Sequence, residues 1–541
     1  MKLADLIIAD AHGRGLRHFF GIPGGGAPLD LMDAGRRRGV QFVNVAHESS
    51  AAIAAAYYGA MKGTAGLALS VKGVGAGNLV GGATNVHFER MPVVCLCETS
   101  PASFKQRNLV QHVKHDEMFK GVVKFEATLE PQSAAATLRR AESIATDGRP
   151  GPVHLDLASD LGTAESGDIA PRLSRPTALV AGQASVAEFK GILGRARKPV
   201  VIAGGDTIRG GAIRELRSFV DAIGGAVLVT MEARGAFPES DLRWAGVLVG
   251  TYGPNVIETE IMAQADLVIL IGVDSMMAHA PWKSGLKVIE LAALAEYESL
   301  APEPAVRVVS NLKAVLAELS TMRQDGFATA EVQATRKKVL ANFRRPSAAV
   351  LAAHDVVSIV RTSLPSDGVL ISETGAFVTL IEHLWPVETP GTFMGTSGGR
   401  TMGLMVPAAL GAKNATPDRP MIGLGADGSL LMRLGELEAF ARTGVAMPLV
   451  IINDRALGTM KSRQKSRGMP DYGLDLHDVG FAQVARACGL NGVTAETPEQ
   501  LEKALKTAVR SDRTTLIDAR VDPQAYQDGF GPTIGVMPTA N

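Results

Sequence analysis

The sequence predicts an α/β protein made of three Rossmann-like, doubly wound parallel sheets. Three observations carry that expectation. Short apolar runs of strand length, such as Asp266–Gly272 and Met421–Gly425, alternate with helical stretches, the pattern of βαβ units. At 541 residues the chain is too long for one hydrophobic core and predicts about three. Composition changes at Pro171–Gln183, rich in Pro, Ser, Thr and Gly without periodicity, and a charged helix near Ala330–Arg344 leads into the last unit. The resulting units are 1–170, 184–325 and 350–525, with a tail at 526–541. No repeat at solenoid periods is present, which leaves open whether the first and third units are structural duplicates with unrelated sequences.

Along the first unit, a Gly-rich loop (Phe20–Gly26) precedes a strand, Gln41–Val45. His47-Glu48-Ser49-Ser50 then opens an Ala-rich helix, Ala51–Met61. A second Gly-rich loop runs from Lys72 to Asn78, Gln111-His112-Val113 follows, and Gly148–Asp156 closes the unit. Taken alone, Glu48 is an acid in a first helical turn, Lys72 a solvated loop cation and each Gly-rich loop a turn. In the middle unit, strands at Lys198–Gly205, Ala226–Thr230 and Asp266–Gly272 alternate with helices such as Ile213–Ala222, which implies a parallel sheet. No complete Gly-x-Gly-x-x-Gly follows a strand there, which weakens a nicotinamide dehydrogenase reading.

The third unit carries the most specific pattern. Met421–Gly425 reads as a buried strand ending at Asp427, Ser429–Thr443 as a helix, and Ala446–Ile452 as the strand delivering Asn453. A right-handed crossover of this length puts Asp427 and Asn453 at one sheet edge, at the carboxyl ends where open α/β sheets bind ligands. A carboxylate and an amide oxygen are hard ligands suited to Mg²⁺. The plain alternative is a type I turn and an Asn at a strand end.

Bulk properties exclude several classes. With 55 basic and 55 acidic residues, the chain offers no electrostatic case for nucleic acid or an anionic membrane. No apolar run reaches membrane-spanning length, and the amphipathic start lacks a signal peptide's h-region, so cytoplasmic placement is expected. Cys95, Cys97 and Cys488 rule out a disulfide framework; Cys95 and Cys97 alternate with Val94 and Leu96 and read as core thiols, with a redox role left open.

Ala426-Asp427-Gly428-Ser429, followed after 23 residues by Asn453, resembles the diphosphate and metal motif of thiamine diphosphate enzymes, Gly-Asp-Gly-Ser then Asn-Asn. Ala426 replaces the first Gly and Asp454 the second Asn. Phe20–Gly26 is similar to the loop Phe-Gly-Tyr-Pro-Gly-Gly-Ala of acetolactate synthases. Lys72–Asn78 stands where that family has Ser-Gly-Pro-Gly-Ala-Thr-Asn. Thr401-Met402-Gly403 with Val406-Pro407-Ala408-Ala409 resembles its Thr-Met-Gly-x-x-x-Pro-Ala-Ala, and Ser372-Glu373-Thr374-Gly375 falls where an Asp-x-Gly lies near the cofactor. The resemblance spans nearly the whole chain and is closest to the acetolactate synthase, pyruvate oxidase and 2-oxo acid decarboxylase group.

That resemblance implies a pyrimidine-binding domain (1–170), a central domain (184–325) and a diphosphate-binding domain (350–525), with thiamine diphosphate and Mg²⁺ as cofactors. The implied metal ligands are the side chains of Asp427 and Asn453 and the carbonyl of Arg455. The implied cofactor contacts are Gly24, Gly25, Glu48, Asn78, Glu373, Arg400 through its carbonyl, Met402 as a wedge between the cofactor rings, Gly425, Ala426, Gly428, Ser429, Asn453, Leu457 and Gly458. Glu48 would hydrogen-bond the pyrimidine N1′, which requires a protonated carboxyl in apolar surroundings. With Gln111, His112 and Lys72 it forms the implied catalytic set. Lys72 suits a carboxylate, sulfonate or phosphonate, and His112 suits proton donation.

The implied reaction is decarboxylation of a 2-oxo acid, completed by protonation to an aldehyde or addition to a second carbonyl. Alternatives are acyl transfer to phosphate or CoA, or a non-catalytic homologue that only binds the cofactor. Relatives carry FAD, ADP or nothing in the middle unit. The arginines of the flavin segment Gly-Ala-Arg-Phe-Asp-Asp-Arg are missing from Gly272-Val273-Asp274-Ser275-Met276-Met277, which weighs against FAD. The expected partners are a small 2-oxo acid and further copies of the chain, as a homodimer or homotetramer with Glu48 of one subunit facing Asp427 and Asn453 of another.

Overall fold

The computed structural model of the chain describes residues 1–101, 104, 110–167, 182–253, 255–347 and 350–523. The expected tail 526–541 and nearly all of the expected linker 171–183 lie outside the described residues.

Each of three stretches of chain folds into a six-stranded, all-parallel sheet flanked by helices. The first holds β1 (His18–Gly21), β2 (Gln41–Asn44), β3 (Gly66–Ser70), β4 (Val93–Thr99), β5 (Glu126–Thr128) and β6 (Pro152–Ala158), in the order β2-β1-β3-β4-β6-β5. The second holds β7 (Pro199–Ala203), β8 (Ala226–Val229), β9 (Trp244–Val247), β10 (Leu267–Ile271), β11 (Lys287–Ala292) and β12 (Val306–Val309), in the order β12-β11-β10-β7-β8-β9. The third holds β13 (Val369–Ser372), β14 (Phe393–Met394), β15 (Met421–Ala426), β16 (Pro448–Asn453), β17 (Asn491–Ala495) and β18 (Thr515–Arg520), in the order β14-β13-β15-β16-β18-β17.

Numbered within their own units, the first and third sheets both run 2-1-3-4-6-5, so they share one topology. The central sheet runs 3-2-1-4-5-6, the order of dinucleotide-binding folds. Parallel sheets covered on both faces need strands that are apolar throughout. Leu267–Ile271, buried at every position, shows why that run carries no polar alternation.

The outer units pack on each other through helix Glu48–Lys62 and helix Met405–Ala415. Ala51, Ala54 and Ala55 are fully buried there, and a Cβ at Gly411 would collide with the Ala54 carbonyl. The Ala-rich run thus serves close helix approach. The same helix ends at Gly63 in the left-handed conformation (φ +69°) and carries Glu48 in its first turn.

One expected element differs. The helix read as Ser429–Thr443 is two, Asp427–Leu431 and Glu436–Thr443. At the break Arg433 turns toward the first unit, donating to Ser49 Oγ (2.8 Å) and the Gly403 carbonyl (3.2 Å), while Glu436 accepts from the Ala46 N–H (3.1 Å). Contacts to another unit override local helix preference here. Cys95 and Cys97 are buried, and burial pushes the Cys95 thiol up to about 12. Among the described residues, no helix is long and apolar enough to cross a membrane.

Candidate active site

β15 and β16 are parallel neighbours, with Ala426 opposite Ile452, and both end at a cavity of about 440 Å³ between the third unit and the central unit. Asp427 and Asp454 both line it. Asp427 Oδ1 accepts from the Gly428 N–H (2.6 Å) and Oδ2 from the Arg455 N–H (2.7 Å). Asp454 Oδ1 accepts from the Ala456 N–H (3.0 Å), and a Cβ at Gly458 would stand 2.7 Å from its other oxygen. Burial pushes Asp427 up to about 6; burial, and then repulsion from Asp427, pushes Asp454 up to about 7. Two desolvated carboxyls side by side are hard to ionise together without a cation between them. Their oxygens fit a hard divalent ion such as Mg²⁺.

Asn453, expected as a ligand, does not line the cavity; its Nδ2 donates to Asp518 Oδ1 (2.8 Å) in the core. Successive strand side chains alternate faces, so Asp454 takes the inward place. Arg455 also departs from expectation, because its carbonyl accepts from the Leu476 N–H (2.8 Å), whereas Ala456 lines the cavity. Glu373 and Gly425 lie behind the cavity wall. The Glu373 carboxyl, pushed up to about 7 by burial, accepts from the N–H groups of Met405 (3.1 Å) and Ala426 (3.2 Å) and braces the end of β15. Its neighbour Thr374 is the residue at the cavity.

The remaining expected contacts of the third unit converge. Ala426, Gly428, Ser429, Leu457 and Gly458 line the cavity with Arg400 and Met402. A Cβ at Gly428 would lie 3.0 Å from Leu457 and 3.3 Å from Met402, so glycine leaves the space between them open. Met402 sits in a turn set by left-handed residues on either side, Arg400 (φ +41°) and Gly403 (φ +75°).

A second set gathers at the carboxyl edge of the first sheet. Glu48 is buried, its Oε2 accepts from Asn78 Nδ2 (3.0 Å), and a Cβ at Gly75 would stand 3.0 Å from its Oε1. Gly24 fits over Val71 and Glu98, whereas Gly25 has open space around it. Lys72 is half-buried and, among the described residues, makes no hydrogen bond or ion pair. The following Gly73 (φ +66°) packs against the Gln111 carbonyl, 2.5 Å from the place of a Cβ, and donates to His115 Nε2 (3.2 Å). His115 is in turn tied to Asp156 (2.7 Å). Gln111 is exposed in the left-handed region (φ +63°) and His112 is half-buried beside it. None of these first-unit residues lines the cavity that holds Asp427.

Several residues at these edges carry no local signal in the sequence. Thr251 and His279 reach the cavity from the central unit, and Glu382 and Arg463 from the third. Glu98, pushed up by burial, accepts from the backbone at Gly26 and Ala27 beneath the first Gly-rich loop. These residues meet only through tertiary structure, although Arg463 lies in the helix Gly458–Ser466 that the motif itself opens.

Charged side chains pair with one another at the central sheet's edge. At the switch point between β7 and β10, Glu232 accepts from the Gly205 N–H (3.1 Å) and Arg209 pairs with Asp206 (2.7 Å). From the first unit, Arg149 pairs with Asp206 (3.2 Å) and Asp274 (3.1 Å), and Arg90 pairs with Asp274 (2.7 Å). The Tyr297 ring lies 4.3 Å from the Arg149 guanidinium.

Three family models match the chain. They are the thiamine pyrophosphate enzyme N-terminal TPP binding domain over residues 1–119, the central domain over 186–319, and the C-terminal TPP binding domain over 373–519. Relatives match along almost the full length. The acetolactate synthase large subunit of Haemophilus influenzae is 26% identical over 97% of this chain and 95% of its own. The Lactococcus lactis large subunit is 27% identical over 97% and 93%. The catabolic acetolactate synthase of Raoultella terrigena is 27% identical over 97% and 95%.

Proposed function

This chain belongs to the thiamine diphosphate enzyme family, and on that premise we propose that it decarboxylates a 2-oxo acid in a Mg²⁺-dependent reaction of the acetolactate synthase type. The observation that carries the reading is the buried Asp427–Asp454 pair at the ends of adjacent parallel strands, facing the cavity beside Met402 and Gly428. Asp427 and Asp454 would hold the metal, with the Ala456 carbonyl as the backbone ligand. Ser429 and the first turn of helix Gly458–Ser466 would present N–H groups to the diphosphate. Met402 would prop the cofactor rings. When bound, the cofactor supplies a carbon nucleophile that adds to the substrate carbonyl and takes up the electron pair as CO₂ departs.

The chain's own part is orientation and proton handling. Glu48, whose Oε2 accepts from Asn78 Nδ2, would turn Oε1 to the pyrimidine N1′. Lys72, Gln111 and His112 would flank the reacting carbonyl from the same edge. Since no described first-unit residue lines the cavity within one chain, Glu48 would be contributed by a second subunit, making a homodimer the smallest active unit. Self-paired charges at the central switch point favour a reading without FAD or ADP there.

Product analysis after incubation with Mg²⁺, thiamine diphosphate and a panel of 2-oxo acids tests the reaction. Release of CO₂ with an aldehyde or hydroxy ketone is expected; no CO₂ from any donor would end this reading. Repeating the assay with phosphate or CoA would expose acyl transfer. For the shared site, inactive Glu48→Gln and Asp427→Ala subunits should regain activity when mixed. No recovery in confirmed mixed dimers would defeat it.

A further inference from the structure

The cavity contains a guanidinium to which the proposed chemistry assigns no role. Arg463 lines it, its Nε is buried without a hydrogen-bond partner, and among the described residues its side chain makes no ion pair. The other guanidinium there, Arg400, is neutralised by Glu382 at 2.9 Å. Asp427 and Asp454 are the pair assigned to the metal. His279, exposed beside these guanidiniums, supplies no negative charge. No described protein group therefore completes the Arg463 guanidinium, and it is open to an anion that a ligand carries in. An unpaired, partly desolvated guanidinium costs stability unless a ligand completes it.

We infer that Arg463 binds a second anionic group on the 2-oxo acid donor, so that the substrate is a dianion carrying a carboxylate, sulfonate or phosphonate on its side chain. This rests on the proposed decarboxylation. The donor's own carboxylate is a poor partner, because a cation on it would stabilise the ground state and lose that contact as charge leaves in the transition state. A spectator anion is held equally throughout and positions the carbonyl. In the balanced reaction the bond between the carbonyl carbon and the departing carboxylate breaks and CO₂ leaves. The electron pair stays on the former carbonyl carbon, which takes a proton from solvent, and the side-chain anion persists in the aldehyde product.

The test compares kcat/KM for oxaloacetate, 2-oxoglutarate and 3-sulfopyruvate with those for pyruvate and 2-oxobutyrate, using protein loaded with thiamine diphosphate and Mg²⁺. Wild type should favour at least one dianion, and Arg463→Met should cut that preference by about 100-fold, with Arg463→Lys restoring part of it. Calorimetric titration with unreactive succinate against butyrate gives a readout independent of turnover: succinate should bind more tightly, and Arg463→Met should erase the difference. Preference for pyruvate or 2-oxobutyrate in wild type, with a ratio unchanged in Arg463→Met, would overturn the inference. If no donor releases CO₂, the proposed function fails, and the succinate titration still decides whether Arg463 forms an anion site.

Discussion

At the carboxyl edge of the central sheet, Glu232 covers the Gly205 N–H, and Arg149 and Arg90 reach in from another unit to pair with Asp206 and Asp274. At the carboxyl edge of the third sheet, Asp427 and Asp454 instead face a cavity of about 440 Å³, held by backbone N–H groups and short of countercharge. The central sheet has the strand order of a dinucleotide fold, and ion pairs drawn from two units sit at its crevice; the third has a different order and a cavity at its edge. Topology locates a crevice, and the side chains that meet there decide whether a ligand enters.

The largest expected effect separates two adjacent residues at the open edge. Asp454→Ala should weaken retention of Mg²⁺ and thiamine diphosphate by more than about 100-fold, exceeding the usual loss from removing a supporting residue. Asn453→Ala, which removes a core hydrogen bond to Asp518, should cost far less. Calorimetry on both variants checks this, and equal losses would return Asn453 to the metal site. At the central edge, Arg149→Ala should destabilise the fold by about 3 kcal/mol, because it strands Asp206 and Asp274. Cofactor affinity per folded chain should persist. Denaturant unfolding and calorimetry together would show whether the central edge is purely structural.

A smaller effect follows from the acidic pair. Asp427 and Asp454 are pushed to about 6 and about 7, above ordinary carboxylates. A raised carboxyl favours the folded protein below the unfolded pKa, and that contribution is lost as pH rises through the folded value. Protein stripped of cofactor should thus lose a few degrees of melting temperature between pH 4 and 7 relative to Asp454→Asn. Added Mg²⁺ with thiamine diphosphate should flatten the difference. Scanning calorimetry across that range would sharpen the contrast with the central edge.

What the sequence makes legible is local chemistry. Glu48 at a helix start and Gly428 just after a strand are fixed by neighbours within a few residues, and the structure has both there. That Asn453 turns to Asp518 while Asp454 faces the cavity was not legible, because strand pleating sends neighbouring side chains to opposite faces. Glu373 illustrates the same limit: the motif locates it near the site, but only packing shows its carboxyl tied to Met405 and Ala426. The break after Leu431, the paired charges at the central crevice and the convergence of Arg463 with His279 depend on contacts between units, which leave no periodic trace in the chain.

The proposed cofactor site is the open edge of the third sheet and not the edge of the central one. Calorimetric titration of stripped protein with thiamine diphosphate in Mg²⁺, then with FAD and with ADP, tests it most directly. The account predicts one thiamine diphosphate per chain, Mg²⁺-dependent binding lost in Asp454→Ala, and no heat from FAD or ADP. Stoichiometric FAD or ADP binding, or thiamine diphosphate affinity indifferent to Mg²⁺ and to Asp454, would contradict it.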